Sequence, residues 1–523
     1  MSIAQASPPP SAVPMAYVQF YDGLPFGCRL ADLFASPASG ISLTATITPN
    51  LASFEVASSR GRVPVTYYGP SLSMNQGSVA AMTFGFDSNP WIVYGSASSP
   101  LAQFSYSGGL AAFHAGGAAA AALVMAGADY LQGSSNGDFL EGYGGDDTLN
   151  GGRGADTMAG GIGNDLYFVS DMGDRIFEAF DGGIDTVVTR IGYTLSKSSH
   201  IEVLQAATGR TALALTGNAY ANHIIGNSGK NLIDGAGGAD TLAGGAGNDT
   251  YRVGSTSAVV LESAGEGADT ILARSNFTLS GGSAVEKLVA EGKRGLRLAG
   301  NELNNTVVGN NAGNVIDGMG GRDTVYGGTG RDVIRGGEGR DALYGGDGAD
   351  RLYGENGDDI LYGGPSNGIL WGGAGNDRIY GSWNNDSLRG EAGSDRLFGD
   401  TGNDVLSGGE GRDRISSGEG YDRFVFDTPL DSRTNVDTLV DLNPWADQVR
   451  LKLSVFSEIG RTGKLSASRF WIGDEAHTKS HRIIYDKDSG SLYYDPDGTG
   501  SALQIKFASV GKLELSASAF VVF

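Results

Sequence analysis

The chain reads as an all-β protein whose coils stack into a parallel β-solenoid. Three features carry that expectation. A nine-residue unit, G-G-x-G-x-D-x-U-x with U a large apolar residue, repeats without a gap over residues 318–425. Of its twelve copies, eleven hold Asp at position six and all twelve are apolar at position eight. Glycine supplies 85 of the 523 residues, about 16% against a usual ~7%.

Composition narrows the function classes. Lys+Arg number 37 and Asp+Glu 59, a formal charge of −22. A basic face for nucleic acid or an anionic membrane is therefore not expected, and divalent cations are natural partners. Glycine does not recur at every third residue and Pro numbers only 15, which excludes collagen. With 40% hydrophobic residues the chain has enough apolar mass to fold. Cys28 is the only cysteine, so no disulfide framework exists.

Residues 1–120 read as a β-rich module of unknown function, with alternating stretches at 42–47 and 82–86. Residues 1–14 lack a basic n-region and an apolar h-region, so a Sec leader is not expected there. Residues 108–128 carry no formal charge but are mostly Ala and Gly. A short packed helix near 118–126 is expected there rather than a transmembrane span.

A first repeat array follows at 121–168, with Asp129, Asp138, Asp147, Asp156 and Asp165 in phase. A β insert occupies 169–216. The second array, 217–252, opens with Asn222 and Asn231 at the Asp position and continues with Asp240 and Asp249. A further insert fills 253–299. The long array, 300–426, starts from Asn305 and Asn314. It then carries Asp323, Asp332, Asp341, Asp350, Asp359, Asp377, Asp386, Asp395, Asp404, Asp413 and Asp422, with Gly368 the exception. The two inserts resemble each other at an offset of 83 or 84 residues, Asp185-Thr186 matching Asp269-Thr270. Their Val, Ile and Thr alternate with polar residues, as strands continuing the solenoid without calcium loops would.

The unit has a physical logic. Gly at positions one, two and four permits tight turns and positive φ. The segment x-U-x is a short strand with one inward side chain. Two units then make an 18-residue coil with a turn at each end. Stacking places successive Asp carboxylates about 4.8 Å apart, a repulsion of roughly 1 kcal/mol per pair even in water. Carboxylates and turn carbonyls are hard oxygen ligands of the kind Ca²⁺ takes.

These units resemble RTX (repeats-in-toxin) haemolysin-type calcium-binding repeats, and GGAGNDRIY at 372–380 is a full match to the nonapeptide. The resemblance covers roughly residues 124–523. It implies a right-handed parallel β-roll with Ca²⁺ between adjacent turns and the eighteen in-phase Asp residues as ligands. It also implies folding on calcium outside the cell.

The region 427–523 loses the Gly pattern and reads as strands around turns at 488–490 and 497–498. Asp495-x-Asp497-Gly498 opens like an EF-hand loop, but Lys506 stands where the closing Glu belongs, so a plain turn is expected. This tail resembles the C-terminal region of serralysin-like type I secretion substrates. That resemblance implies an uncleaved export signal at the end and the secretion machinery as a partner.

No catalytic residue is assigned. H-E-x-x-H is absent, and His477 and His481 are expected as surface-loop histidines. The two G-x-S-x-G matches, at 133–137 and 364–368, lie inside repeats rather than on a strand–turn–helix elbow. Position nine of alternate units aligns Tyr326, Tyr344, Tyr362, Tyr380 and Phe398 on one face. The opposite face carries Arg335, Tyr353, Trp371, Arg389 and Ser407. An aromatic ladder that stabilises stacked strands is one reading; a stripe for a glycan or protein ligand is the other. The function expected is that of a secreted calcium-binding structural or interaction protein at the cell surface or in the matrix. An extracellular enzyme acting on polysaccharide or by hydrolysis, with its site in 1–120 or the inserts, is the alternative, and a toxin- or bacteriocin-like effector a third.

Overall fold

The computed structural model describes residues 128–133, 137–180 and 182–523, together with the backbone of the strands within the first 104 residues. The packed helix expected near 118–126 and most of the 133–137 G-x-S-x-G match lie outside the described residues. Two compact units divide the chain, residues 1–259 and 260–523.

In the first unit, Ser42–Thr48, Leu51–Ser58, Gly61–Tyr68, Met82–Phe86 and Asn89–Val93 form consecutive antiparallel pairs. Ala16–Gln19 pairs antiparallel with Asn89–Val93 and parallel with Asp129–Gln132, the first solenoid strand. From there the pairing is parallel: Asp129–Gln132 with Thr148–Asn150, then Leu166–Val169, Thr186–Thr189 and Val203–Ala206. The first insert therefore continues the solenoid, as its alternating sequence implies.

The second unit repeats this architecture with longer strands. Thr324–Thr329 pairs in parallel with Ala342–Asp347, and Val333–Glu338 with Arg351–Asn356. Each residue meets the one 18 places later, for example Val325 opposite Leu343. The position-eight side chains are the core: Val325, Ile334, Leu343, Leu352, Leu361, Leu370 and Ile379 are all fully buried. A strand that presents one apolar side chain per coil buries it against the same position above and below.

The glycines divide by role. Positions two and four hold positive φ, as at Gly337 (106°) and Gly339 (130°). Position one does not; it is glycine because of crowding. A Cβ on Gly372 would lie 2.2 Å from Asp377 Oδ2 and 2.7 Å from the Gly390 carbonyl.

The solenoid ends on its own C-terminus. Ile483–Asp486 and Ser491–Tyr494 form an antiparallel hairpin. Phe520–Val522 pairs in parallel with Gln448–Leu451, and Phe520 is fully buried. Arg450 lies over the Phe523 ring, 4.7 Å from its centre. Asp495 Oδ1 accepts from the N–H groups of Asp497 and Gly498, the plain turn expected there. Among the described residues no helix is long and apolar enough to cross a membrane.

Candidate metal centre

Every in-phase Asp is buried, from Asp129 to Asp422. In the second unit they form two columns, one at each edge of the coil. The N–H of Asp341 donates to Asp359 Oδ1 at 2.7 Å, Asp359 to Asp377 at 2.8 Å, and Asp377 to Asp395 at 2.8 Å. Along the other edge Asp386 donates to Asp404 and Asp404 to Asp422. Gly368 interrupts this column: it donates to Asp386 but offers no carboxylate.

One oxygen of each carboxylate is thus used by the fold and the other is not. Oδ2 of all eleven long-array Asp residues is buried with no hydrogen-bond partner. A buried, unpartnered carboxylate oxygen is unfavourable for the isolated chain. Burial, reinforced by neighbouring carboxylates, pushes Asp395 up to about 8 and Asp323, Asp359 and Asp386 up to about 7. The N–H bond from the preceding coil offsets part of that rise. In the first unit the same causes push Asp147 up to about 9.

The Asn units show what should face those oxygens. Asn314 Nδ2 donates to the carbonyl of Ala312 at 2.6 Å and to Asn310 at 3.4 Å. Asn231 Nδ2 donates to Gly229 at 2.6 Å and Asn227 at 3.1 Å. The carbonyls two and four residues earlier thus point into the position-six space. At Asn231 and Asn314 an amide donor fills their need, while Asn222 and Asn305 turn their amides to the carbonyls of Ile201 and Val285. Where Asp stands, a carboxylate oxygen and carbonyl oxygens share one space with no positive charge between them. That donor set is all oxygen, which suits Ca²⁺, and Gly at position one keeps a Cβ out of it.

The columns run past the nonapeptides. In the first unit Asp165 N–H donates to Asp185 Oδ1 at 2.9 Å, and Asp185 N–H to Glu202 Oε2 at 2.9 Å. Asp156 N–H reaches Asp174 Oδ1. In the second unit Asp413 and Asp422 donate to Asp437 and Asp447. Asp185, Glu202, Asp437 and Asp447 fall out of phase because the spacings are 20, 17, 24 and 25 residues rather than 18, whereas Asp174 keeps the 18-residue step from Asp156 and was open to a reading by phase. Asp185 did carry a signal, since its Asp-Thr pair recurs in the second insert.

His481 differs from the expectation. It is buried rather than a surface-loop residue and stacks on Trp471, with centroids 5.0 Å apart. Its Nδ1 accepts from the N–H groups of His477 and Thr478, so the pair shapes a loop. The position-nine rings stack as a ladder: Tyr326, Tyr344, Tyr362, Tyr380 and Phe398 follow at 4.8–5.0 Å, within 11° of parallel.

The family comparison agrees with this geometry. The family model "RTX calcium-binding nonapeptide repeat (4 copies)" matches residues 125–158, 132–167, 216–251, 299–334, 335–370, 362–397 and 389–424. No curated protein matches the chain. Among solved structures, the AlgE6R3 subunit from the Azotobacter vinelandii mannuronan C5-epimerase is similar at 27% identity, over 28% of this chain and 77% of that one, with a TM-score of 0.20. The repeats bind Ca²⁺, and the chain is an RTX-type calcium-binding repeat protein.

Proposed function

We propose that this is a secreted structural or interaction protein whose solenoid folds when calcium reaches it outside the producing cell. The supporting observation is the row of buried Oδ2 atoms, one per Asp of the long array, that have no hydrogen-bond partner among the described residues. The position-six Asp residues are the ligands in this proposal, with the turn carbonyls completing each site. At the low calcium of a cytosol the columns repel and the chain stays open, a state suited to export. At millimolar calcium the cations bridge successive coils. Export runs through the C-terminal region by the type I route, as its serralysin-like tail suggests. The aromatic ladder is chiefly a stacking device, and its exposed edge, with Tyr326 41% exposed, is the surface offered to a glycan or protein.

Circular dichroism of the purified chain against free Ca²⁺ tests the folding claim. A cooperative gain of β-signal at sub-millimolar to millimolar calcium is expected; a spectrum indifferent to chelator refutes it. Detection of the full chain in culture medium, lost on deleting 427–523, tests export.

A further inference from the structure

Resting on the calcium reading above, we propose that Glu178 of the first insert, with Asp165 and Asp185, forms a separate Ca²⁺ site that seals the end of the first array. The nonapeptide motif ends before this point, and the family match stops at residue 167. Glu178 and Asp185 belong to no repeat unit.

Asp165, Glu178 and Asp185 each bring a carboxylate oxygen to within 4.8 Å of the other two. All three side chains are buried, Glu178 at 6% exposure and Asp165 and Asp185 at 1% and 0%. Glu178 Oε1 is fully engaged. It accepts from the Tyr167 hydroxyl and from the N–H of Gly160 at 3.0 Å and of Gly161 at 3.3 Å. Its Oε2 has no partner, nor do Asp165 Oδ2 and Asp185 Oδ2. Three buried carboxylates thus converge, each with one oxygen anchored and one left over.

The surroundings add more oxygen. A Cβ on Gly182 would lie 3.0 Å from the Gly161 carbonyl, 3.1 Å from Glu178 Oε2 and 3.3 Å from the Ala179 carbonyl. Gly182 is therefore the residue that leaves this space open. The Tyr167 hydroxyl is the orienting group: by donating to Oε1 it turns the other oxygen free. Oxygen-only donors with three carboxylates select a hard divalent cation large enough for several ligands, Ca²⁺ rather than Zn²⁺. Such a site differs from those of the repeats, where one Asp per unit meets turn carbonyls. With three buried carboxylates it should fill first as calcium rises. The four residues recur in sequence 84 positions on, as Asp249, Tyr251, Glu262 and Asp269.

The test uses the full chain and calcium alone. Crystals grown in calcium are measured near an absorption edge that gives calcium anomalous signal. A peak bounded by Asp165, Glu178 and Asp185 is expected. Peaks along 323–422 with none here overturn the proposal, and peaks nowhere overturn the calcium reading itself. In parallel, native mass spectrometry counts calcium on the wild type and Glu178→Gln. The variant should hold one fewer ion and lose the tightest step of the titration; equal counts and equal affinities overturn the proposal. Should Glu178→Gln not fold, the wild-type anomalous map alone decides.

Discussion

Replacing Asp359 by Asn should stabilise the solenoid without calcium and destabilise it with calcium. Asp359 Oδ1 accepts from Asp341 N–H, and an Asn keeps an oxygen for that bond. Oδ2 is the atom that changes. In the wild type it is buried and unpartnered, a penalty of about 1–3 kcal/mol. Asn314 shows what an amide does at this position, donating to carbonyls two and four residues earlier. At 359 those are the carbonyls of Gly357 and Glu355. The metal-free chain should therefore gain about 1–3 kcal/mol. In calcium at one thousand times Kd the variant loses one cation, about 4.1 kcal/mol, which outweighs that gain. Osmolyte-induced folding in chelator and thermal melting in calcium, both followed by far-UV circular dichroism, read the two signs. The Asn variant should fold at lower osmolyte and melt at lower temperature. A shift of the same sign in both conditions would falsify the idea that Oδ2 waits for a cation.

Acid should substitute in part for calcium. Burial raises the carboxyls of Asp323, Asp359 and Asp386 to about 7 and Asp395 to about 8 in the fold, against about 3.9 in an unfolded chain. A raised folded value means stability that is complete below about pH 4 and lost as pH climbs through about 6 to 8. Calcium-free protein should contract as pH falls from 8 to 5 by small-angle scattering; expansion over that range contradicts the burial argument. Tyr344→Thr removes two stacking contacts, worth about 0.5–1.5 kcal/mol each, and should lower the melting temperature in calcium. Binding of any glycan or protein partner should survive that change if the ladder is structural. Gly372→Ala drives a methyl to within 2.2 Å of Asp377 Oδ2 and should raise the calcium needed for folding, whereas Gly237→Ala meets nothing within 4 Å and should not. Phe520→Ala should destabilise the C-terminal cap by about 3–5 kcal/mol, seen as early loss of the Tyr485 environment in a melt monitored by fluorescence.

The long array was legible because every part of its geometry repeats at nine residues. Once Asp323, Asp332 and Asp341 are in phase, their burial and column order follow from stacking alone. The position-eight core and the Tyr326–Phe398 ladder follow for the same reason, since a parallel coil places like on like. Turn type at positions two and four could also be read, because glycine there answers to φ.

Other features depend on contacts that no period records. Position one is glycine because the carboxylate five residues on and a carbonyl from the next coil crowd it, which only the stacked fold reveals. Of the acids that extend the columns, Asp174 keeps the 18-residue step, while Asp185, Glu202, Asp437 and Asp447 sit outside the phase because the intervening loops change length while the coil spacing stays constant. Glu178 meets Asp165 and Asp185 through a loop closure, not a repeat. Repetition in the chain determined the coil, its core and its rows of charge; tertiary structure alone decided where irregular loops return an acid to those rows, because a loop's length does not tell where its side chains converge.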